Sequence, residues 1–540
     1  MTFFSTSRLS TRMFYGAVAV VAITGASALL TDLATAQTAA TPQTAPTPAP
    51  TPPLPPYLAN FTAANGWSFE PKLTSALPGD AFVPAKEALE KNSQFPQVQR
   101  LFDLWSWQAF LAVNWPTARG GQPAASISGY DTNNNPAWST WHESNDIYLP
   151  HGATPPSCLV QNGVAATPLV ARNLAGLVRA GIPPAPAAAA PKTTRALFNV
   201  SAVGELINGR APVKPSKSNH ISEVDQAFTG PLFDQNGNPT FYEILLDNHE
   251  VGYLCANKLY SIQGQIDFSS NPTNKVQFPA GQWQTDGSGA FELKLAWRIL
   301  DPKKDKADRF FHQPAQVLIE NQWSSVEVGL VGMHIAHKSQ SSPQWIWSTF
   351  EQIDNLATDQ VANPGLNPSY FNPNCPTCLV NVQPVGNNPA NHPTQALRMI
   401  PIPPDKEALN REAQAALHAQ NSVWQYYQLI DTQWPTDPTA PPISPGDTNL
   451  PESINNKSGG DPTPVYLTNI TMETYFQIGN QSATQQQEGN PPSTVQVFGT
   501  ESCTGCHSSA GIAASGTPQK PTYSGQLTAD FSWLMEIKAQ

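Results

Sequence analysis

The chain reads as an α+β protein, a large mixed domain of central antiparallel strands and flanking helices with a C-terminal segment packed on it. Three observations predict this. An apolar run at helical spacing closes at Pro116, alternating runs fill the middle of the chain, and a second helical run follows before residue 435.

Residues 1–36 read as a secretory signal peptide. Arg8 and Arg12 form a basic start, Ala17 to Leu30 is apolar, and Ala34-Thr35-Ala36 offers a cleavage site before Gln37. The rival is an uncleaved anchor. Phe14 to Leu30 is 17 residues interrupted by Gly16, Thr24, Gly25 and Ser27, the short edge of the ~17–25 that span a bilayer. No later stretch is long and apolar enough to cross, so no integral span is expected in the mature chain. Residues 37–56, rich in Pro, Thr and Ala, read as an extended linker. A large α+β domain is expected over 57–450 and a distinct C-terminal region over 451–540.

The first helix is expected over Gln97 to Trp115, where Leu101, Leu104, Trp105, Ala109 and Ala112 share a face. Strands are expected at Phe241 to Leu246, Phe291 to Leu300, Ala315 to Ile319 and Val326 to His334. In the second, Phe291, Leu293, Leu295 and Trp297 alternate with Glu292, Lys294 and Arg298, the pattern of a half-buried strand. Asn236-Gly237 marks a turn just before the first of these strands. Pro343 to Trp347 reads as an extended segment burying one indole per face. Lys406 to Leu429 reads as one long or two short helices. Trp105, Trp107, Trp115, Trp345, Trp347 and Trp424 read first as packing residues.

Composition fits an exported, loop-rich chain. It carries 54 Pro and 34 Gly and only 13% charged residues, against about 25% in ordinary domains. Taking Arg8, Arg12 and Asp32 of the leader from the 29 basic and 40 acidic residues leaves 27 and 39, a formal charge of −12. That balance argues against nucleic acid and anionic membranes and suits either a basic protein partner or solubility alone.

The chemistry is concentrated in Cys503-Thr504-Gly505-Cys506-His507. Two thiols three positions apart with a histidine directly after the second form the attachment signature of c-type haem. Each thiol adds across one vinyl group, and the neighbouring imidazole ligates the iron from the proximal side. One covalent haem c on Cys503 and Cys506, with His507 as iron ligand, is therefore expected. Covalent haem plus export points to a bacterial periplasm. Only 33 residues follow His507, too few to wrap a porphyrin, so the upstream chain must cover it.

Cys158, Cys255, Cys375 and Cys378 remain, an even number in an oxidising compartment. Of the three possible pairings, Cys158–Cys255 with Cys375–Cys378 is preferred. Leu379 follows Cys378, which removes Cys375-Pro-Thr-Cys378 as a second ordinary haem site. No thioredoxin-like pattern surrounds it, so a structural staple is the first reading there.

Six segments carry a resemblance. They are FDLWSWQAFLAVNWP (102–116), EVGLVGMHIAHKSQSSPQWIWSTFEQIDN (327–355), VWQYYQLIDTQWP (423–435), NITMETYFQ (469–477), SCTGCH (502–507) and ADFSWLMEIKAQ (529–540). Together they resemble exported bacterial cytochrome c family proteins with a single C-terminal haem motif. The resemblance implies haem binding and electron transfer and no defined substrate.

The sixth iron ligand has three candidates, Met472, Met535 and His334. Met535 lies downstream of His507, and Met472 is near the motif in sequence. His334 shares an apolar run with Met333 and His337, and if that run is a strand, His334 and His337 point to opposite faces. Two functions come first, with a sensor or binding domain that reports through haem as a third. The first is a periplasmic electron carrier with a redox protein partner. The second is a haem-dependent, peroxidase- or oxygenase-like enzyme with an open distal site under the large domain. A diheme arrangement is excluded, because no second C-x-x-C-H occurs.

Overall fold

In the computed structural model the described residues are 83–92, 94–117, 122–130, 135–159, 195–198, 231–281, 288–319, 322–339, 342, 344–356, 368–375, 377–382, 395–434, 467–475, 477, 484–487, 493–496, 503–507, 510–524 and 528–540. The expected signal peptide (1–36), linker (37–56) and boundary at 450/451 lie outside them.

The alternating middle of the chain builds an eight-stranded sheet. Its strands are β1 (His142–Glu143), β2 (Arg195–Leu197), β3 (Phe241–Leu246), β4 (Phe291–Ile299), β5 (His312–Ile319), β6 (Gln322–His337), β7 (Ile346–Gln352) and β8 (Tyr427–Gln433). The order is β8-β7-β6-β4-β3-β1, all antiparallel. The long β6 is shared. Its second half pairs with β4 and β7, its first half pairs with β5, and β2 joins β5 in parallel. The turn before β3 is built as its sequence requires. Gly237 sits at φ +83, and Asp234 Oδ1 accepts from the backbone N–H of Asn236 and Asn238.

Alternation then sorts the two faces of the sheet. Phe291, Leu293, Leu295 and Trp297 of β4, Met333 and Ile335 of β6, and Ile346 and Phe350 of β7 enter one core. Helices α1 (Val83–Lys91) and α2 (Phe95–Val113) precede the sheet in sequence. Nearly every described side chain of α2 is buried, the polar Gln97, Gln99, Arg100, Asp103 and Ser106 included. Each such Leu or Phe contributes about 1.5–3 kcal/mol by leaving water. The helix is anchored at charged positions too: Lys406 lies 2.9 Å from Asp103 and 3.7 Å from Asp431.

Two sequence expectations are corrected. The run from Lys406 is a helix only over α5 (Pro404–Ala419); a 3-10 turn at Val423–Tyr426 then leads into β8. Asn421 at φ +53 ends the helical path, and Tyr427 and Leu429 sit in the core as strand residues. Trp345 and Trp347 do not divide between faces. Trp345 stands before β7 at φ +70, and both indoles join one cluster, their rings 6.1 Å apart.

On the opposite face lie α3 (Asn248–Ala256), α4 (Ile262–Ser269) and the C-terminal segments, sharing a second core with Trp345, Trp347, Phe531 and Met535. Both disulfides form as expected, Cys158–Cys255 and Cys375–Cys378. No described helix is long and apolar enough to cross a membrane.

Candidate functional site

The Cys503-to-His507 segment is one helical turn, α6, set against this second face. Two register rows of the sheet lie beneath it. One runs Gln433–Trp347–Ala336–Glu292–Leu246, the other Thr349–His334–Lys294–Ile244. Gln433 holds the motif directly, its Oε1 accepting from the backbone N–H of Thr504 at 2.8 Å. Cys503 packs at the edge of the second core.

His507 is fixed on two sides. Its ring lies 4.4 Å from that of Trp347, inclined by 46°. Its Nδ1 lies 2.7 Å from the carbonyl oxygen of Phe531. A carbonyl only accepts, so Nδ1 carries the proton and Nε2 keeps its lone pair. Burial pushes the imidazole down to about 4, and the nearby charges of Lys294 and His334 add to that. At neutral pH His507 is therefore an uncharged imidazole that keeps a lone pair on Nε2.

The Phe531 carbonyl is aimed by an unusual turn. Asp530 and Phe531 are both left-handed, at φ +48 and +69, a geometry that costs about 1–3 kcal/mol per residue and persists only where surroundings impose it. Here they do. The Asp530 carboxylate accepts from Phe278 N–H at 2.7 Å and from the Lys338 ammonium, and its carbonyl accepts from Trp345 Nε1 at 2.9 Å.

The three distal candidates are placed differently. His334 lies on the motif-facing side of β6, level with Thr349, while His337 points the other way and stacks between Trp105 and Phe291. The expected division of the two histidines between faces holds. His334 Nε2 is 3.0 Å from Glu473 Oε1, and its Nδ1 is buried without a hydrogen-bond partner. Burial pushes Glu473 up, but the His334 imidazole beside it holds the carboxyl below its ordinary value. Met472 is packed with Tyr242, Ala296 and Val331. Met535 is fully buried in the second core, its carbonyl accepting from Gln265 Nε2 at 2.9 Å.

Several residues of the site escaped sequence reading. Gln433, Glu473 and the Phe531 carbonyl carry no motif. Lys294 did leave a trace, as a cation on a central strand whose alternation sends it to the side opposite the apolar core. Among the described residues no group of three or more His, Cys, Asp or Glu is placed to hold a metal ion. No family model matches the chain, and no curated protein or solved structure is found similar to it.

Proposed function

We propose that the chain is an exported, monohaem c-type cytochrome that transfers electrons in the periplasm. One covalent haem c is held by Cys503 and Cys506, with His507 as the proximal iron ligand. The observation that carries this reading is the bond from His507 Nδ1–H to the Phe531 carbonyl. Metal-binding histidines are fixed in that way through the nitrogen that does not meet the metal. When bound, the haem supplies an iron that changes oxidation state by one electron.

The chain's own residues prepare the site for that role. Trp347 and Phe531 hold the His507 ring in one orientation, and Gln433 fixes the start of the motif. His334 is the distal ligand we assign. It lies on the motif-facing side of β6 and its Nδ1 is buried without a hydrogen-bond partner, whereas both methionines are spent on packing. The acidic surface favours a basic periplasmic redox protein as partner.

A second reading is favoured by the bond between His334 Nε2 and Glu473. If that bond persists in the loaded protein, the distal position stays open, and the site is that of a peroxidase- or oxygenase-like enzyme. A redox titration of protein exported by a host that attaches haem c separates the proposal from chance. One reversible one-electron step is expected, and the lack of any reversible couple overturns it.

A further inference from the structure

Cys375 and Cys378 close a loop on the surface rather than a core contact. Cys158, Cys255, Cys375 and Cys378 are all partly exposed; what differs is that Cys158 and Cys255 pack against the second hydrophobic core, whereas Cys375 and Cys378 belong to none of the buried clusters. The loop is carried by its neighbours. Gln395 Oε1 accepts from Asn372 N–H at 2.8 Å, and its Nε2 donates to the Asn372 carbonyl at 3.2 Å. Asn381 exchanges two 2.8 Å bonds with the backbone of Leu397, holding the segment after the disulfide against 395–399.

Beside this loop the surface is apolar. Leu379 is 72% exposed, Val380 40%, Val382 47% and Met399 46%. The fifth exposed large apolar side chain among the described residues, Leu159, is in another part of the chain. From Gln360 to Leu397 the sequence holds no Asp, Glu, Lys or Arg. Arg398, next to Met399, is turned inward to Glu351, so apolar side chains gather around an accessible disulfide and mark an interaction site, and accessible disulfides are the exchangeable ones.

We propose that Cys375–Cys378 is a thiol–disulfide exchange site, docked through Leu379, Val380, Val382 and Met399 by an exported dithiol protein. A thiolate of the partner attacks one sulfur of the pair, the Cys375–Cys378 bond breaks, and the other cysteine leaves as thiolate. The partner's second thiol then attacks the mixed disulfide. The partner ends as a disulfide, and Cys375 and Cys378 end as two thiols, having received its two electrons and two protons.

The test uses the full mature protein with a purified thioredoxin-type dithiol protein, and dithiothreitol at equal dithiol concentration as the small reductant. Alkylation followed by peptide mass mapping reads each cysteine over time. The site predicts that Cys375 and Cys378 are alkylated before Cys158 and Cys255, and at least tenfold faster with the dithiol protein than with dithiothreitol. Leu379→Ser with Val382→Ser should slow the dithiol protein at least fivefold and leave the dithiothreitol rate unchanged. Equal rates with the two reductants, reduction of Cys158–Cys255 first, or variants that slow both reductants alike would each overturn the proposal.

Discussion

The imidazole of His507 donates from Nδ1 to the carbonyl of Phe531 at 2.7 Å, across 24 residues of sequence. The bond depends on the left-handed pair Asp530 and Phe531, which in turn depends on the buried ion pair of Asp530 with Lys338. Asp530→Asn or Lys338→Met alone leaves a buried charge unpaired and should cost about 3–5 kcal/mol in denaturant unfolding. The double change should cost less than the sum of the two. Strict additivity would mean that the pair does not act as a unit.

His334 is assigned as distal ligand, and Met472 and Met535 as packing. His334→Ala should convert the oxidised spectrum from low-spin to high-spin without loss of haem. Met472→Ala and Met535→Ala should keep the spectrum and lose about 2–5 kcal/mol of stability. A spin change in either methionine variant would move the assignment to that residue. A high-spin wild type that binds cyanide readily would favour the open-site enzyme.

Glu292 lies in the same register row as Trp347 and accepts from Ser532 at 3.2 Å. Burial pushes it up to about 7 from 4.5, against the pull of Ser532 and Lys294. Glu250, fully buried beside it with neither oxygen hydrogen-bonded, is also raised by burial and by the Glu292 charge. A carboxyl raised in the folded state favours folding while it is protonated. Its contribution is complete below about 4.5 and is lost as pH rises towards 7. Unfolding free energy should therefore fall between pH 5 and 8, and Glu292→Gln should recover about 1–3 kcal/mol at pH 8. A stability unaffected by this change at pH 8 would count against a buried, proton-holding Glu292.

What could be read beforehand follows from the range of the interactions involved. Local pattern makes β3 legible as a short strand-like run from Phe241 and β4 as an alternating one from Phe291, and the His334/His337 division follows from period two alone. The path after Ala419 was misread because Val423 to Leu429 is as apolar as a helix face. It is β7, nearly eighty residues earlier in sequence, that makes Tyr427–Gln433 a strand. In the site, Cys503, Cys506 and His507 form a contiguous motif and needed no fold. Gln433 and the Phe531 carbonyl acquire roles only through tertiary contacts, and a backbone acceptor has no residue type to announce it.

The two disulfides should differ in their contribution to stability. Cys158–Cys255 spans a separation of 97 residues and Cys375–Cys378 one of 3. In the loop-entropy account, replacing the first pair by Ala should cost about 5 kcal/mol and the second about 2 kcal/mol. Equal losses in denaturant unfolding would show that strain or packing, not loop closure, sets their worth.

Covalent attachment of haem at Cys503 and Cys506 is the claim on which the functional reading rests, and haem staining of a denaturing gel tests it most directly. Wild-type protein exported by a host that attaches haem c should keep a haem band after denaturation, and Cys503→Ala with Cys506→Ala should lose it. A wild type without the band, or a band that survives the double change, would contradict the assignment.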